Sequence, residues 1–170
     1  MKNNMASLLC LLATLIVSIA SCGGGGGGGG GGVAGSNTSA QPTKATVKIA
    51  TTGTSQTLGA VQATLHMPTG VSVKATVNPP QTDGGIVLAS GAASGADLVM
   101  GIYSSLSGTV TVYITKATGF STGEFSTINC DIASGTLPRS SDFVVTDLST
   151  WDTSGSLVTA LTPTFTVIFN

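Results

Sequence analysis

The chain has 170 residues, a net charge of −1 and a charged fraction of 8%, against about 25% in typical soluble domains. A nucleic-acid-binding surface is excluded, because it would need clustered Lys and Arg. Hydrophobic residues make up 41% of the chain, and Ser and Thr together number 46. This composition indicates one folded domain and excludes a disordered chain or two domains.

The first 22 residues have the features of a targeting segment. Lys2 precedes an apolar stretch from Met5 to Ala20. This stretch has the length of a signal peptide, and it is shorter than a transmembrane helix, which needs about 20 apolar residues. The stretch runs into Ile19-Ala20-Ser21-Cys22, which resembles the bacterial lipobox. The resemblance implies a lipoprotein signal peptide over residues 1–22, with Cys22 lipidated. An ordinary secretory signal is the alternative.

Residues 23–43 are predicted to form a flexible tether. Gly23–Gly32 are consecutive glycines, and the low-complexity composition continues to residue 43. Glycine has no side chain to bury and loses the most backbone entropy on ordering, so this run does not form a stable element. We expect a cell-envelope protein, anchored in the membrane through Cys22. By the same resemblance, Gly23 after the Cys favours the outer membrane or cell surface.

The remaining segment, 44–170, shows a period of two, which is typical of half-buried antiparallel strands. Turns rich in Gly and Pro separate the runs. The predicted strands lie at 45–49, 61–67, 71–73, 98–102, 110–114, 128–132, 143–145 and 165–169. One turn of helix is predicted within 84–95. Eight or nine strands in a domain of this size predict an all-β, two-sheet sandwich of jelly-roll or Ig-like type.

Four segments resemble cohesin domains in the same order along the chain. They are a strand and turn at 58–73, a central strand at 108–114, a Gly-rich turn and long strand at 119–132, and a closing segment at 141–155. The resemblance implies a jelly-roll sandwich that binds a partner without catalysis. Cohesins hold dockerins in cellulose-degrading bacteria, and related sandwiches bind carbohydrate. For this chain it implies an envelope protein or a polysaccharide as the partner.

The sequence holds few residues for catalysis, and we assign no catalytic residue. The single His, His66, lies on the polar phase of its strand, and no Ser lies in a Gly-x-Ser-x-Gly pattern. Cys130 shares the phase of Ile128 and Ile132. We therefore expect it to be a buried hydrophobe, with a reactive thiol as the alternative.

No cofactor is expected from the sequence apart from a candidate calcium site. Asp147 and Asp152 lie close in sequence beside Ser154-Gly155, and calcium prefers several hard oxygens from a flexible loop. The alternative is ordinary turn chemistry, in which an Asp side chain accepts hydrogen bonds from its own loop. A zinc site, which needs three or four His, Cys or acidic ligands, is not expected.

Three aromatic residues, Tyr103, Tyr113 and Trp151, are the candidate ligand-binding residues. Sugar rings stack on aromatic side chains, so an exposed aromatic plane would favour a carbohydrate-binding module over a protein-binding one. Tyr113 lies on the outward phase of its strand, and we expect Tyr103 to point outward as well. Trp151 lies in a loop-like stretch, where the alternative is that it plugs the end of the sandwich.

Overall fold

The computed structural model describes residues 40–170. The predicted signal peptide, Cys22 and the tether up to residue 39 lie outside the described residues. Over residues 40–170, no helix is long and apolar enough to cross a membrane.

Strands account for nearly all of the regular structure in residues 40–170. They are β1 (Lys44–Gly53), β2 (Thr57–His66), β3 (Val71–Ser72), β4 (Val87–Ala89), β5 (Leu98–Ser104), β6 (Thr109–Ser121), β7 (Glu124–Ile132), β8 (Val144–Trp151), β9 (Leu157–Val158) and β10 (Leu161–Phe169). Single 3₁₀ turns lie at Gly91–Ala93 and Ser140–Asp142. The first confirms the helical turn predicted within 84–95.

The strands form two antiparallel sheets that pack face to face. Sheet A has the order β10-β1-β7, and both β3 and β4 pair with the far edge of β7. Sheet B has the order β5-β6-β2-β8-β9. The predicted all-β, two-sheet sandwich is therefore confirmed.

The core lies between the sheets and is built by the alternation along each strand. Val47 and Ile49 of β1 are fully buried, as are Val110, Val112 and Ile114 of β6. The residues between them on β6 are threonines and Tyr113, which suit a half-exposed strand because branched and aromatic side chains fit the pleated surface.

Cys130 lies on the inner face of β7, as its phase predicted. It is 1% exposed, and its Sγ lies 3.8 Å from the Sδ atom of Met67. Burial in apolar surroundings, with a smaller contribution from Asp131, raises the pKa of the thiol to about 12. The thiol therefore stays protonated at neutral pH and serves as core packing.

The outer face of sheet A carries charges of both signs. Lys44 pairs with Asp131, and Lys48 lies 3.3 Å from a carboxylate oxygen of Glu124. The Ser90 hydroxyl, with a smaller contribution from Lys48, holds the pKa of Glu124 below its usual value. Exposed pairs of this kind add little to stability, but they mark a face suited to water.

A β-bulge at Asp147 changes which face the end of β8 presents. Gln62 of β2 lies opposite Ser149, whereas Thr64 lies opposite Thr146, so β8 holds one extra residue between these pairs. The extra residue shifts the side-chain phase by one. Asp147 has φ of 53°, the left-handed conformation that Asp tolerates better than most residues.

The bulge decides the direction of Trp151. Val145 packs against the core, and strict alternation from Val145 would also turn Trp151 inward. With the extra residue, buried Thr150 takes the inner phase and Trp151 takes the outer phase, opposite Ala60. The prediction that Trp151 lies in a loop-like stretch is wrong. It is the last residue of β8, and the bulge interrupted the alternation that would have revealed the strand.

The conformation of Asp147 predicts how substitutions there change stability. Val at this position would be forced into the left-handed region, so Asp147→Val is expected to lower the free energy of unfolding by about 1–2 kcal/mol. Asp147→Gly is expected to cost less than half as much, since glycine adopts positive φ readily. Urea unfolding measures both, with Thr164→Val on exposed extended backbone as the control. Equal losses for the Val and Gly variants would contradict the assignment.

Candidate functional site

The outer face of sheet B carries no charged side chain at its strand-paired positions, and we call it the neutral face. Its nearest charge is the exposed Asp147 at the β8 bulge, whose carboxylate accepts a hydrogen bond from Thr146 of this face. The strand registers place these residues on it: Ala60, Gln62, Thr64 and His66 from β2; Leu98, Met100, Ile102 and Ser104 from β5; Thr109, Thr111, Tyr113 and Thr115 from β6; Val144, Thr146, Ser149 and Trp151 from β8; and Leu157 from β9. The contrast with the ion pairs on sheet A separates the two faces by charge.

Apolar side chains are exposed on the neutral face. Leu98 is 48% exposed, Ile102 37%, Val144 49% and Leu157 60%. Of the other exposed large hydrophobic residues in the described part of the chain, Leu88 and Ile168 lie on sheet A, and Val77, Leu106 and Leu137 lie in loops. A concentration of exposed apolar side chains on one face is typical of interaction surfaces, whereas single exposed ones are common everywhere. The neutral face is therefore the candidate site.

Tyr113 and Trp151 both belong to the neutral face. Tyr113 lies opposite Gln62 on β2 and Met100 on β5, which confirms its predicted outward direction. Both rings are partly exposed, and neither is among the side chains that pack against the core. The alternative that Trp151 plugs the end of the sandwich is therefore wrong.

Tyr103 does not share this face, and the prediction that it points outward is wrong. It lies opposite Val110 on β6, takes the inner phase with Gly101, and packs against the core. The alternate residues Leu98, Met100 and Ile102 take the outer phase instead, opposite Thr115, Tyr113 and Thr111 of β6. The signal was that Val99 and Tyr103 are apolar too, so both faces of β5 are apolar.

Trp151 borders a shallow pocket at one end of the neutral face. The pocket has a volume of about 420 Å³, and its other lining residues include Ala60 and three charged residues, Asp97, Lys116 and Asp152. The Nζ of Lys116 donates to the Ser94 carbonyl at 2.7 Å, and the backbone N–H of Ala117 donates to Asp97 at 2.6 Å. All three charged residues already have hydrogen-bond partners within the domain, and the rest of the lining is the Trp151 ring and small side chains.

The acidic residues Asp147 and Asp152 do not form a calcium site together. Asp147 lies in β8 and Asp152 directly follows its last residue, and the extended chain between them, at about 3.3 Å per residue, separates them by roughly 15 Å. Two oxygens bound to one calcium ion, each at about 2.3–2.6 Å, lie much closer than that. Over the described residues, no cluster of three His, Cys, Asp or Glu is suited to hold a metal.

Turn chemistry accounts for Asp152. Its Oδ1 accepts hydrogen bonds from the Ser154 hydroxyl at 2.6 Å, the Ser154 N–H at 2.8 Å and the Ser156 N–H at 2.9 Å. These bonds, the Ser154 hydroxyl first, lower the pKa of Asp152. The carboxylate therefore orders the turn between β8 and β9, beside the pocket at Trp151.

His66 takes the outer phase of β2, as predicted. Its Nε2 lies 2.9 Å from the Thr146 hydroxyl on β8, and the ring is half-buried among its neighbours. The Thr146 hydroxyl in turn donates to Oδ2 of Asp147 at 3.0 Å. The hydroxyl therefore lies between the ring and the acid, whereas a catalytic triad has the His ring between the nucleophile and the acid. His66 links two strands across the neutral face.

A comparison with solved structures places this architecture among known folds. The non-cellulosomal cohesin from the hyperthermophilic archaeon Archaeoglobus fulgidus is similar, with a TM-score of 0.50 and 16% sequence identity over 70% of this chain and 75% of that one. The fold is cohesin-like. At 16% identity, the similarity between the two chains extends to the fold alone. No protein-family model matches the chain, and no curated protein sequence matches it significantly.

Proposed function

We propose that this chain is a non-catalytic binding module that holds a partner protein on the neutral face. The observation that carries the proposal is the division between the two outer faces. The outer face of sheet A carries two ion pairs beside the exposed Leu88 and Ile168, whereas that of sheet B carries four exposed aliphatic side chains and two partly exposed rings, with no charge at its strand-paired positions. When a partner covers an exposed apolar face, the removal of that face from water lowers the free energy and favours binding.

Tyr113 and Trp151 are the expected anchors of the interface. Aromatic residues dominate binding energy at protein interfaces when they are surrounded by contacts that exclude water. The threonines between them, such as Thr111 and Thr64, whose hydroxyls lie 3.3 Å apart, form a flat surface with part of its hydrogen bonding already satisfied. Because the strand-paired positions of the face carry no charge, the affinity is expected to depend little on salt.

A charge placed in the middle of the neutral face tests this proposal. Thr111→Lys is expected to weaken partner binding at least tenfold, because the ammonium group would have to be desolvated in an apolar interface. Thr164→Lys, on the exposed outer face of β10 opposite Ala50, is the matched control and is expected to bind normally. The immobilised full chain is incubated with envelope extract of the organism that encodes it, and stoichiometric retention of one specific protein is quantified.

The outcomes of this experiment separate two functions. Equal retention by both variants contradicts binding on the neutral face. A carbohydrate-binding module is the second candidate, favoured by the pocket that Trp151 borders. Retention of the wild-type chain on insoluble polysaccharide, lost in Trp151→Ala and kept in Thr111→Lys, would replace the first function with the second.

We also propose that the module is displayed at the cell envelope through a lipid on Cys22. The support is the lipobox-like sequence Ile19-Ala20-Ser21-Cys22 and the glycine run that follows it. With flexible-chain scaling, the 22 residues from Cys22 to Lys44 give a root-mean-square reach of about 25–28 Å. This reach would let the domain turn its neutral face toward a partner.

Substitution of Cys22 tests lipidation, and substitution of Cys10 is the matched control. When the full chain is expressed in a bacterium supplied with labelled palmitate, the wild type and Cys10→Ala are expected to carry label in the mature protein. Cys22→Ala is expected to carry none, because the thiol that accepts the lipid is gone. Label that persists in Cys22→Ala would contradict the anchor.

A further inference from the structure

The strand β10 forms an edge of sheet A that is open along part of its length. It pairs with β1 on one side over its whole length and has no strand on the other side in the described part of the chain. Long edge strands of this kind offer unpaired N–H and C=O groups to another strand, and proteins usually protect them with charges, prolines or covering loops. No residue of β10 is charged.

The opposite edge of the sandwich shows such protection. The loop before β4 runs along β5, where the N–H of Tyr103 donates to the Pro80 carbonyl and the N–H of Thr82 donates to the Gly101 carbonyl, each at 2.9 Å. Gln81 forms an isolated bridge with Ile102. The edge of β5 is therefore covered, in contrast to the edge of β10.

The direction of the free backbone groups on β10 follows from its pairing with β1. Lys44 and Asn170 exchange two backbone hydrogen bonds, at 3.1 and 3.0 Å. Because hydrogen-bonded and non-hydrogen-bonded pairs alternate in an antiparallel ladder, the N–H groups of Phe165, Val167 and Phe169 point away from β1. Pro163 has the same phase, so its missing N–H costs no bond to β1 but blocks pairing at the first half of the edge.

The side chains of the open half are also incompletely buried. Phe165, Val167 and Phe169 face inward and pack against the core, but each remains partly exposed. Their partners on β1, Ile49, Val47 and Ala45, are at most 1% exposed. The inner layer is therefore complete at β1 and incomplete at β10, and one more strand beside β10 would cover it.

We propose that the segment Phe165–Phe169 pairs with the same segment of a second copy, antiparallel and centred on Val167. In this register Phe165 lies opposite Phe169 of the partner subunit, and Val167 lies opposite its own copy. Pro163 falls beyond the paired segment, so no hydrogen-bond position opposes a proline. The three residues with free N–H groups are thus matched to one another, and their apolar side chains lie on the inner face of one continuous sheet.

A second copy fits this edge better than a charged strand does. The segment carries no charge, so two copies meet without like-charge repulsion, and each supplies the donors and acceptors that the other lacks. A two-fold axis through Val167 makes the contact self-limiting, because each copy has one such edge and both are used. This contact uses sheet A and leaves the neutral face of sheet B free, so it is independent of the proposed function.

Proline at the centre of the register tests the pairing. Val167→Pro removes the free N–H without removing a bond to β1. Pro163, four residues earlier on the same phase of β10, already lacks its N–H in this way. Val167→Ala is the matched control, since it loses side-chain packing but keeps the N–H. Sedimentation equilibrium of the full chain is expected to show dimers for the wild type and Val167→Ala, and at least tenfold weaker association for Val167→Pro. Circular dichroism and urea unfolding check that both variants fold.

Amide hydrogen exchange provides a second readout that identifies the register. The amides of Phe165, Val167 and Phe169 are expected to exchange more slowly as protein concentration rises, and that of Leu161 is expected to stay unchanged. A wild-type chain that remains monomeric at all concentrations overturns the proposal. Association that Val167→Pro leaves intact, or protection that also covers Leu161, overturns it as well.

Discussion

The two-residue alternation of side chains along a strand is the constraint on which this structure depends, and one extra residue at Asp147 redirects it. Before the bulge, Val145 of β8 packs into the core, and after the bulge Thr150 takes the inner phase. The same shift turns Trp151 outward, onto the face that Tyr113 also occupies. A left-handed residue in one strand therefore decides whether the large indole belongs to the core or to the surface.

The two sheets divide the surface of the domain by chemistry. Sheet A pairs Lys44 and Lys48 with acidic partners and carries threonines along β10, so most of its outer face suits water. Sheet B exposes aliphatic side chains, with no charge at its strand-paired positions. A small domain with few charged residues has limited means to keep such a face soluble, and a partner that covers the face would resolve this. The open half of β10 is a separate feature, set by backbone hydrogen bonding.

Much of the fold could be predicted from the sequence, because alternation and Gly- and Pro-rich turns act locally. The inward direction of Cys130, the outward direction of Tyr113 and the helical turn near Gly91 followed from these signals. The strands β4 and β9 were missed because they are short and apolar throughout, without the alternation that predicted the equally short β3. Such strands exist through their pairing with β7 and β8, and pairing is not a local signal.

The candidate site was harder to predict than the fold. Tyr103 was placed on the wrong face, because β5 is apolar on both phases and periodicity does not distinguish them. The end of β8 was missed, because the bulge hides the alternation on both sides of Asp147. The pairing of Asp147 with Asp152 failed for a related reason: residues close in sequence are far apart when the chain between them is extended. What the sequence lacked in each case was the register with the neighbouring strand.

Trp151 is the only tryptophan of the chain, so its fluorescence tests directly whether the bulge in β8 turns the indole outward onto the neutral face. Acrylamide quenching of the folded full chain is compared with that of the urea-unfolded chain and of the double variant Trp151→Phe/Phe125→Trp, which places the indole at a fully buried core position. The bulge and the neutral face predict quenching of Trp151 between these two references, clearly above the core variant. Quenching as weak as that of the core variant would show that Trp151 faces inward and would contradict the account.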